Sequence, residues 1–160
     1  MILITDAIER NGFFDPRYTC DFDNSSPELR WKEVPDKTLA FALVAESHSG
    51  NGERVFPHWV VFNIPGGLLH LPTGIPPQET LPNGICQGVN GYGKLGYSGP
   101  CPAIGSEPQR YTFRLYALAE VPSIPSRATR QILLDRIAPF VIATAETSGL
   151  YRRTLSQAAG

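Results

Sequence analysis

Thr38-Leu-Ala-Phe-Ala-Leu-Val-Ala45 is a continuous apolar run, bounded by Pro35-Asp36 before it and by Ser47-His-Ser-Gly50-Asn-Gly52 after it. A run of that length between turn residues reads as a strand buried on both faces. His58-Trp-Val-Val-Phe-Asn63, closed by Pro65-Gly66-Gly67, has the β-branched and aromatic character of a second central strand. Tyr111-Thr-Phe-Arg-Leu-Tyr-Ala117 instead alternates, with Tyr111, Phe113, Leu115 and Ala117 on one face and Thr112, Arg114 and Tyr116 on the other. Its period of two predicts a sheet strand with one drier side.

Outward from these runs the chain is punctuated throughout. Residues 65 to 110 are dense in Pro and Gly and carry no sustained periodicity, which marks a long connection with a purpose. A helix is predicted from an N-cap at Ser126, with Ala128, Ile132, Leu133 and Ile137 on one face and Pro139 ending or kinking it. Ala143 to Tyr151 reads as a last strand, with Ala143, Ala145 and Thr147 on one face and Thr144 and Glu146 on the other. No internal repeat or linker divides the 160 residues, so residues 1–160 are expected to form one domain.

With 14 basic and 15 acidic residues the formal charge is −1, which lacks the basic surplus that phosphate-backbone binding requires. Nucleic acid is therefore not an expected partner. Met1-Ile-Leu-Ile-Thr5 is too short for a signal-peptide core or a membrane span, which predicts a cytoplasmic protein without integral membrane association. Cys20, Cys86 and Cys101 have no C-x-x-C spacing, so free thiols are the simplest reading. A Cys20–Cys101 bridge stays open, because both lie in turn-like segments.

His58 is the first candidate for chemistry, since it opens an apolar strand directly after a proline; alone, such a histidine is more often structural. Glu46-Ser47-His48 ends the first buried strand and puts ionisable groups there. If the two strands are neighbours, Glu46, His48 and His58 converge at one sheet end, a set that could also ligate a metal, although the spacing is not diagnostic and no metal is predicted. The loop from Gly91 to Pro102 could approach a ligand closely or form an anion-binding nest of backbone N–H groups. It matches no nucleotide-loop pattern, and no cofactor motif is present. G-x-S-x-G is absent, and no serine has a recognisable partner motif.

Taken in order, these segments resemble the phosphatidylethanolamine-binding protein family, in particular its bacterial Raf-kinase-inhibitor-like branch. The resemblance rests on Tyr18-Thr-Cys-Asp21 with Asn24-Ser-Ser-Pro27-Glu-Leu29-Arg-Trp31, on His58 to Pro65, and on Gly96-Tyr-Ser-Gly-Pro-Cys-Pro102. Arg110 to Leu118 and Ala143 to Arg152 complete it, so it covers nearly the whole chain. It implies a mainly β fold, a large antiparallel sheet packed against a smaller one, with few helices including one near the C-terminus. It also implies a pocket for phosphate-like or carboxylate groups, with His58 and Tyr111 in the wall and Gly99, Pro100, Cys101 and Pro102 as the rim loop. Two departures stand out. Where the family has Asp-Pro-Asp-Ala-Pro, this chain has Glu46-Ser47-His48-Ser49-Gly50, so Glu46 and His48 stand in for the two carboxylates. Where the family has His-Arg-Tyr, this chain has Gln109-Arg110-Tyr111.

A neutral Gln109 cannot become a cation, which weakens anion binding, while an inward His48 would restore a titratable charge and tighten binding as pH falls through the histidine range. Losing two prolines should loosen the loop carrying His48. The leading expectation is a binding protein for a small anion or phosphorylated head group, with a regulatory role through a protein partner, and with a homodimer left open. One rival is a hydrolase using His58 as base with Glu46 orienting it, which lacks a nucleophile. Another is a kinase or protease inhibitor acting through the surface loops from Gly66 to Gly105. The pocket reading requires Glu46, His58 and Tyr111 to converge.

Overall fold

The computed structural model describes residues 1–48 and 54–154. Its elements are β1 (Ile2–Thr5), β2 (Leu29–Lys32), β3 (Ala40–His48), β4 (Val55–Pro65), β5 (His70–Leu71), β6 (Cys86–Gln87), β7 (Gln109–Leu118), α1 (Arg130–Ile137) and β8 (Val141–Tyr151). They form a five-stranded sheet ordered β6-β4-β3-β7-β8 and a three-stranded sheet ordered β1-β2-β5, with every pairing antiparallel. The mainly β expectation, with a large sheet, a smaller sheet and one helix near the C-terminus, is what is found. The expected loosening of the segment after His48 concerns residues 49–53, which lie outside the described residues.

β3 is central, and both of its faces are buried, as its unbroken apolar run requires. Phe41, Leu43 and Ala45 face the core between the sheets, with Trp59, Val61, Phe113 and Leu115 beside them and Leu3, Leu29, Trp31 and Leu71 opposite. Ala40, Ala42 and Val44 face a second cluster with Val60, Phe62, Leu118, Leu133 and Ile137, where α1 covers the outer side of the large sheet. The alternation read in β7 holds: Tyr111, Phe113, Leu115 and Ala117 all belong to the inter-sheet core.

Three sequence expectations are corrected. Thr129, not Ser126, caps α1, its side chain accepting from Ile132 N–H; Ala128 thus precedes the helix, and Ile132 is 39% exposed. Both hydroxyl residues can cap, and only the chain's entry into the helix decides between them. Cys20 and Cys101 are bridged, with Cα atoms 5.4 Å apart, and Cys86 alone is a free thiol. Sequence separation hides that proximity, because the bridge spans 81 positions. The connection from 65 to 110 also contains the two short strands β5 and β6.

Register irregularities in the β3–β4 pairing position the site. Ala45 lies opposite Trp59, yet Glu46 lies opposite Pro57 and Ser47 opposite Phe56, so β4 carries His58 as an extra residue. A bulge of this kind re-aims a side chain and puts two successive residues on one face. His58 thereby joins Trp59 on the inter-sheet face; in a regular register it would lie opposite Glu46.

Candidate functional site

His58 sits at the end of the inter-sheet core, 5% exposed, with its ring held at both nitrogens. Nδ1 lies 2.7 Å from the Ser98 carbonyl and Nε2 lies 3.0 Å from Ser47 Oγ. A carbonyl can only accept, so Nδ1 carries the proton of the neutral ring and Nε2 accepts from the Ser47 hydroxyl. Burial pushes the His58 pKa below the usual histidine value, and the Ser98 hydrogen bond opposes that only in part. The ring packs edge-on against Tyr111 at 5.2 Å and tilted against Phe56 at 5.1 Å between centroids.

These groups border an open cavity of about 300 Å³. Ser47, His58, Tyr92, Gln109 and Tyr111 supply its polar groups, while Phe56, Pro102, Ala103 and the ring of Tyr92 supply apolar surface and Cys101 brings the disulfide to the rim. Ser47 is the cross-strand partner of Tyr111, so the two share a face of the sheet. The Tyr111 hydroxyl donates to Gln109 Oε1 at 3.5 Å, the long limit of a hydrogen bond. Burial, with the hydroxyls of Tyr92 and Tyr151 adding to it, raises the Tyr111 pKa far above neutrality, so the phenol stays a donor.

The rim is anchored from below by the segment after Pro16–Tyr18. Beyond the disulfide, Cys20 N–H donates to the Pro100 carbonyl, Gly99 N–H donates to Asn24 Oδ1, and Tyr97 Oη donates to the Tyr18 carbonyl. A Cβ on Gly99 would lie 2.1 Å from the Tyr18 carbonyl oxygen, so only glycine allows this approach. Gly99 and Pro100 are both buried and do not border the open cavity; Pro100 packs beneath it, beside Tyr111 and His58. The backbone N–H groups of Gly91, Gly93, Gly96, Ser98 and Gly99 all have partners within the protein. The N–H groups of Tyr92 and Lys94 donate to Asn90 Oδ1. These seven N–H groups of the loop are thus committed within the protein and are not offered to an anion.

Two predicted wall residues lie elsewhere. Glu46 and His48 alternate with Ser47 and project from the opposite face of β3. The Glu46 side chain, 1% exposed, receives Arg114 Nη1 at 2.8 Å and Arg130 Nε at 2.5 Å, with His48 Nε2 at 3.7 Å. It ties β3 to β7 and α1. The expectation that Glu46, His48 and His58 converge is overturned by the bulge at His58 and by the alternation of β3. The required meeting of Glu46 with His58 and Tyr111 fails with it, so the pocket reading framed on Glu46 does not hold and a cavity here rests on Ser47, His58 and Tyr111 instead. The same geometry removes Glu46 as the group orienting a His58 base and dissolves the metal-ligand set those three would have made; among the described residues no cluster of three such side chains occurs. Ser47, which sequence reasoning missed, takes the place assigned to Glu46. It shares the parity of Phe41, Leu43 and Ala45, but both faces of β3 are apolar, so that parity marks no inward face in the sequence alone.

Comparison with known proteins identifies the family and the fold. The family model described as phosphatidylethanolamine-binding protein matches residues 4–152. A UPF0098 protein of Methanothermobacter thermautotrophicus is 40% identical over 153 residues, covering 96% of this chain and 99% of that protein. The crystal structure of Escherichia coli YbcL superposes with a TM-score of 0.83 at 28% identity, covering 94% of this chain and 97% of that one. CT736 of Chlamydia trachomatis superposes with a TM-score of 0.81 at 28% identity, covering 94% and 96%. A family model spanning almost the whole chain, near-complete relatives and the same two-sheet architecture agree: the chain belongs to the phosphatidylethanolamine-binding protein family.

Proposed function

We propose that this chain is a ligand-binding protein whose cavity at His58 takes a small phosphate-like or carboxylate group, free or as part of a phosphorylated head group. The observation that carries the reading is the meeting of Ser47, Gln109 and Tyr111 around His58 in an otherwise aromatic and proline-lined cavity. The family description supports a phosphorylated ligand. Among the described residues, those bordering the cavity include no lysine, arginine or carboxylate, so the group of this lining that gains a positive charge as pH falls is His58.

Protonation of His58 would change the site in two ways at once. It adds a charge, and it turns Nε2 into a donor to Ser47 Oγ, which frees the Ser47 hydroxyl to donate to the ligand. Anion affinity therefore rises as pH falls. The pH response attributed to His48 passes to His58, and its range lies below the ordinary histidine value because the site is buried. The test is calorimetric titration with inorganic phosphate, phosphoethanolamine and acetate at pH 7.5 and pH 5. The reading predicts tighter binding at the lower pH and a loss of about 1.5–3 kcal/mol in Tyr111→Phe, the range for a hydrogen bond to a charged group. Affinity that is flat with pH, or unchanged in Tyr111→Phe, would overturn it.

No helix among the described residues is long and apolar enough to cross a membrane. The Cys20–Cys101 bridge weighs against a reducing cytoplasm as the site of action, since disulfides persist chiefly in oxidising compartments.

A further inference from the structure

We infer that Ser47 is a nucleophile and His58 its general base, giving the cavity an acyl-transfer activity towards small carboxylic esters. The inference uses the same cavity as the binding reading but does not need affinity for an anion. Three observations carry it. Ser47 Oγ and His58 Nε2 are 3.0 Å apart, with Nε2 in the accepting tautomer because Nδ1 donates to the Ser98 carbonyl. That carbonyl fixes the imidazole, the orienting part that a carboxylate plays in better-known triads. Tyr111, directly across the strand pair from Ser47, offers a hydroxyl whose hydrogen bond among the described residues is the long one to Gln109 Oε1.

The reaction balances without a further co-reactant. Ser47 Oγ attacks the ester carbonyl carbon as its proton passes to His58 Nε2, and the carbonyl oxygen becomes an oxyanion that the Tyr111 hydroxyl stabilises by donation. Collapse breaks the bond to the leaving alcohol, which takes the proton from His58 and leaves an acyl group on Ser47. Water, deprotonated by His58, then attacks the acyl carbon and releases the carboxylic acid while Ser47 regains its proton. One ester and one water give one acid and one alcohol. The apolar surface of Phe56, Tyr92 and Pro102 beside these groups suits a short acyl chain, and a cavity of about 300 Å³ limits its size.

The test is exposure of the full chain to p-nitrophenyl acetate and, separately, to a fluorophosphonate, followed by intact mass and peptide mapping. The expected result is one adduct per chain located on Ser47, with a burst of p-nitrophenol. Its rate should rise with pH to a plateau set by neutral His58. His58→Gln should slow acylation about a hundredfold or more. Ser47→Ala should abolish the adduct, and His48→Ala, altered on the opposite face, should leave it unchanged. No adduct on the wild-type chain, or one that maps elsewhere and survives in Ser47→Ala, would overturn the inference. Mapping on the wild-type chain needs no variant to fold, and a phosphate titration of the same sample shows separately whether the binding reading stands.

Discussion

His58 gains its meaning from what its two nitrogens touch. In a strand-end position a histidine facing solvent would titrate near its ordinary value, but this ring is enclosed by Phe56, Tyr92 and Tyr111. Its folded pKa is lowered, so the unfolded chain takes up the proton first as pH falls. The stabilisation from a neutral His58 is thus complete above about pH 6.5, the ordinary histidine value, and is lost as pH drops from there towards the folded pKa. Thermal melts from pH 7.5 to pH 5 should show a steeper loss of Tm in the wild type than in His58→Gln. Equal slopes would mean that burial does not depress the group. Sequence pointed to His58 and Tyr111, and the structure brings them into ring contact, because each sits on a strand whose apolar pattern was readable. It pointed to Glu46 in place of Ser47 because both faces of β3 are buried. With no polar phase along Ala40 to Ala45, alternation could not say which neighbour looks inward.

At the scale of elements, one extra residue in β4 decides the chemistry of the sheet end. The run from His58 to Phe62 gives no hint of a bulge, since an inserted position in an apolar strand leaves composition and bounds unchanged. Glu46 then serves architecture: a buried carboxylate held by two guanidinium groups joins β3, β7 and α1. Glu46→Gln should cost about 1.5–3 kcal/mol, measured by denaturant unfolding, as charge-assisted bonds are weakened. Phosphate affinity should stay as in the wild type, and a parallel loss of affinity would return Glu46 to the cavity wall. The rim is the second element whose role was only half legible. Its Gly-Pro-Cys-Pro sequence marked a rigid loop, but nothing in the spacing showed that Cys20 lies beneath it. Cys20→Ser should destabilise the protein by about 2–5 kcal/mol, since it opens a long covalent loop. It should also weaken ligand binding, because Pro102 and Ala103 lose their anchor. Binding unchanged under reducing conditions would show that the hydrogen bonds from Cys20 and Gly99 hold the rim alone.

For the whole molecule, the four long strands were readable from apolar runs and a period of two, and they make most of the large sheet. The small sheet was not readable from the residues. β1, β2 and β5 have only 4, 4 and 2 residues, too few for a periodic signal, and the resemblance to a known family supplied that layer. The division of labour is between faces. The outer face of the large sheet, under α1, carries the paired charges of Glu46, Arg114 and Arg130, while the inter-sheet face ends in a cavity whose lining, among the described residues, includes no lysine, arginine or carboxylate and holds His58. On the proposed reading, anion binding there and protonation of His58 are linked, so each would favour the other. The most direct measurement is long-range ¹H–¹⁵N NMR of the His58 ring, resolved among only three histidines, through a pH titration with and without phosphate. The account predicts that Nε2 responds to phosphate and that the anion raises the His58 pKa. Saturating phosphate that leaves both the ring shifts and the pKa of His58 unchanged would contradict it.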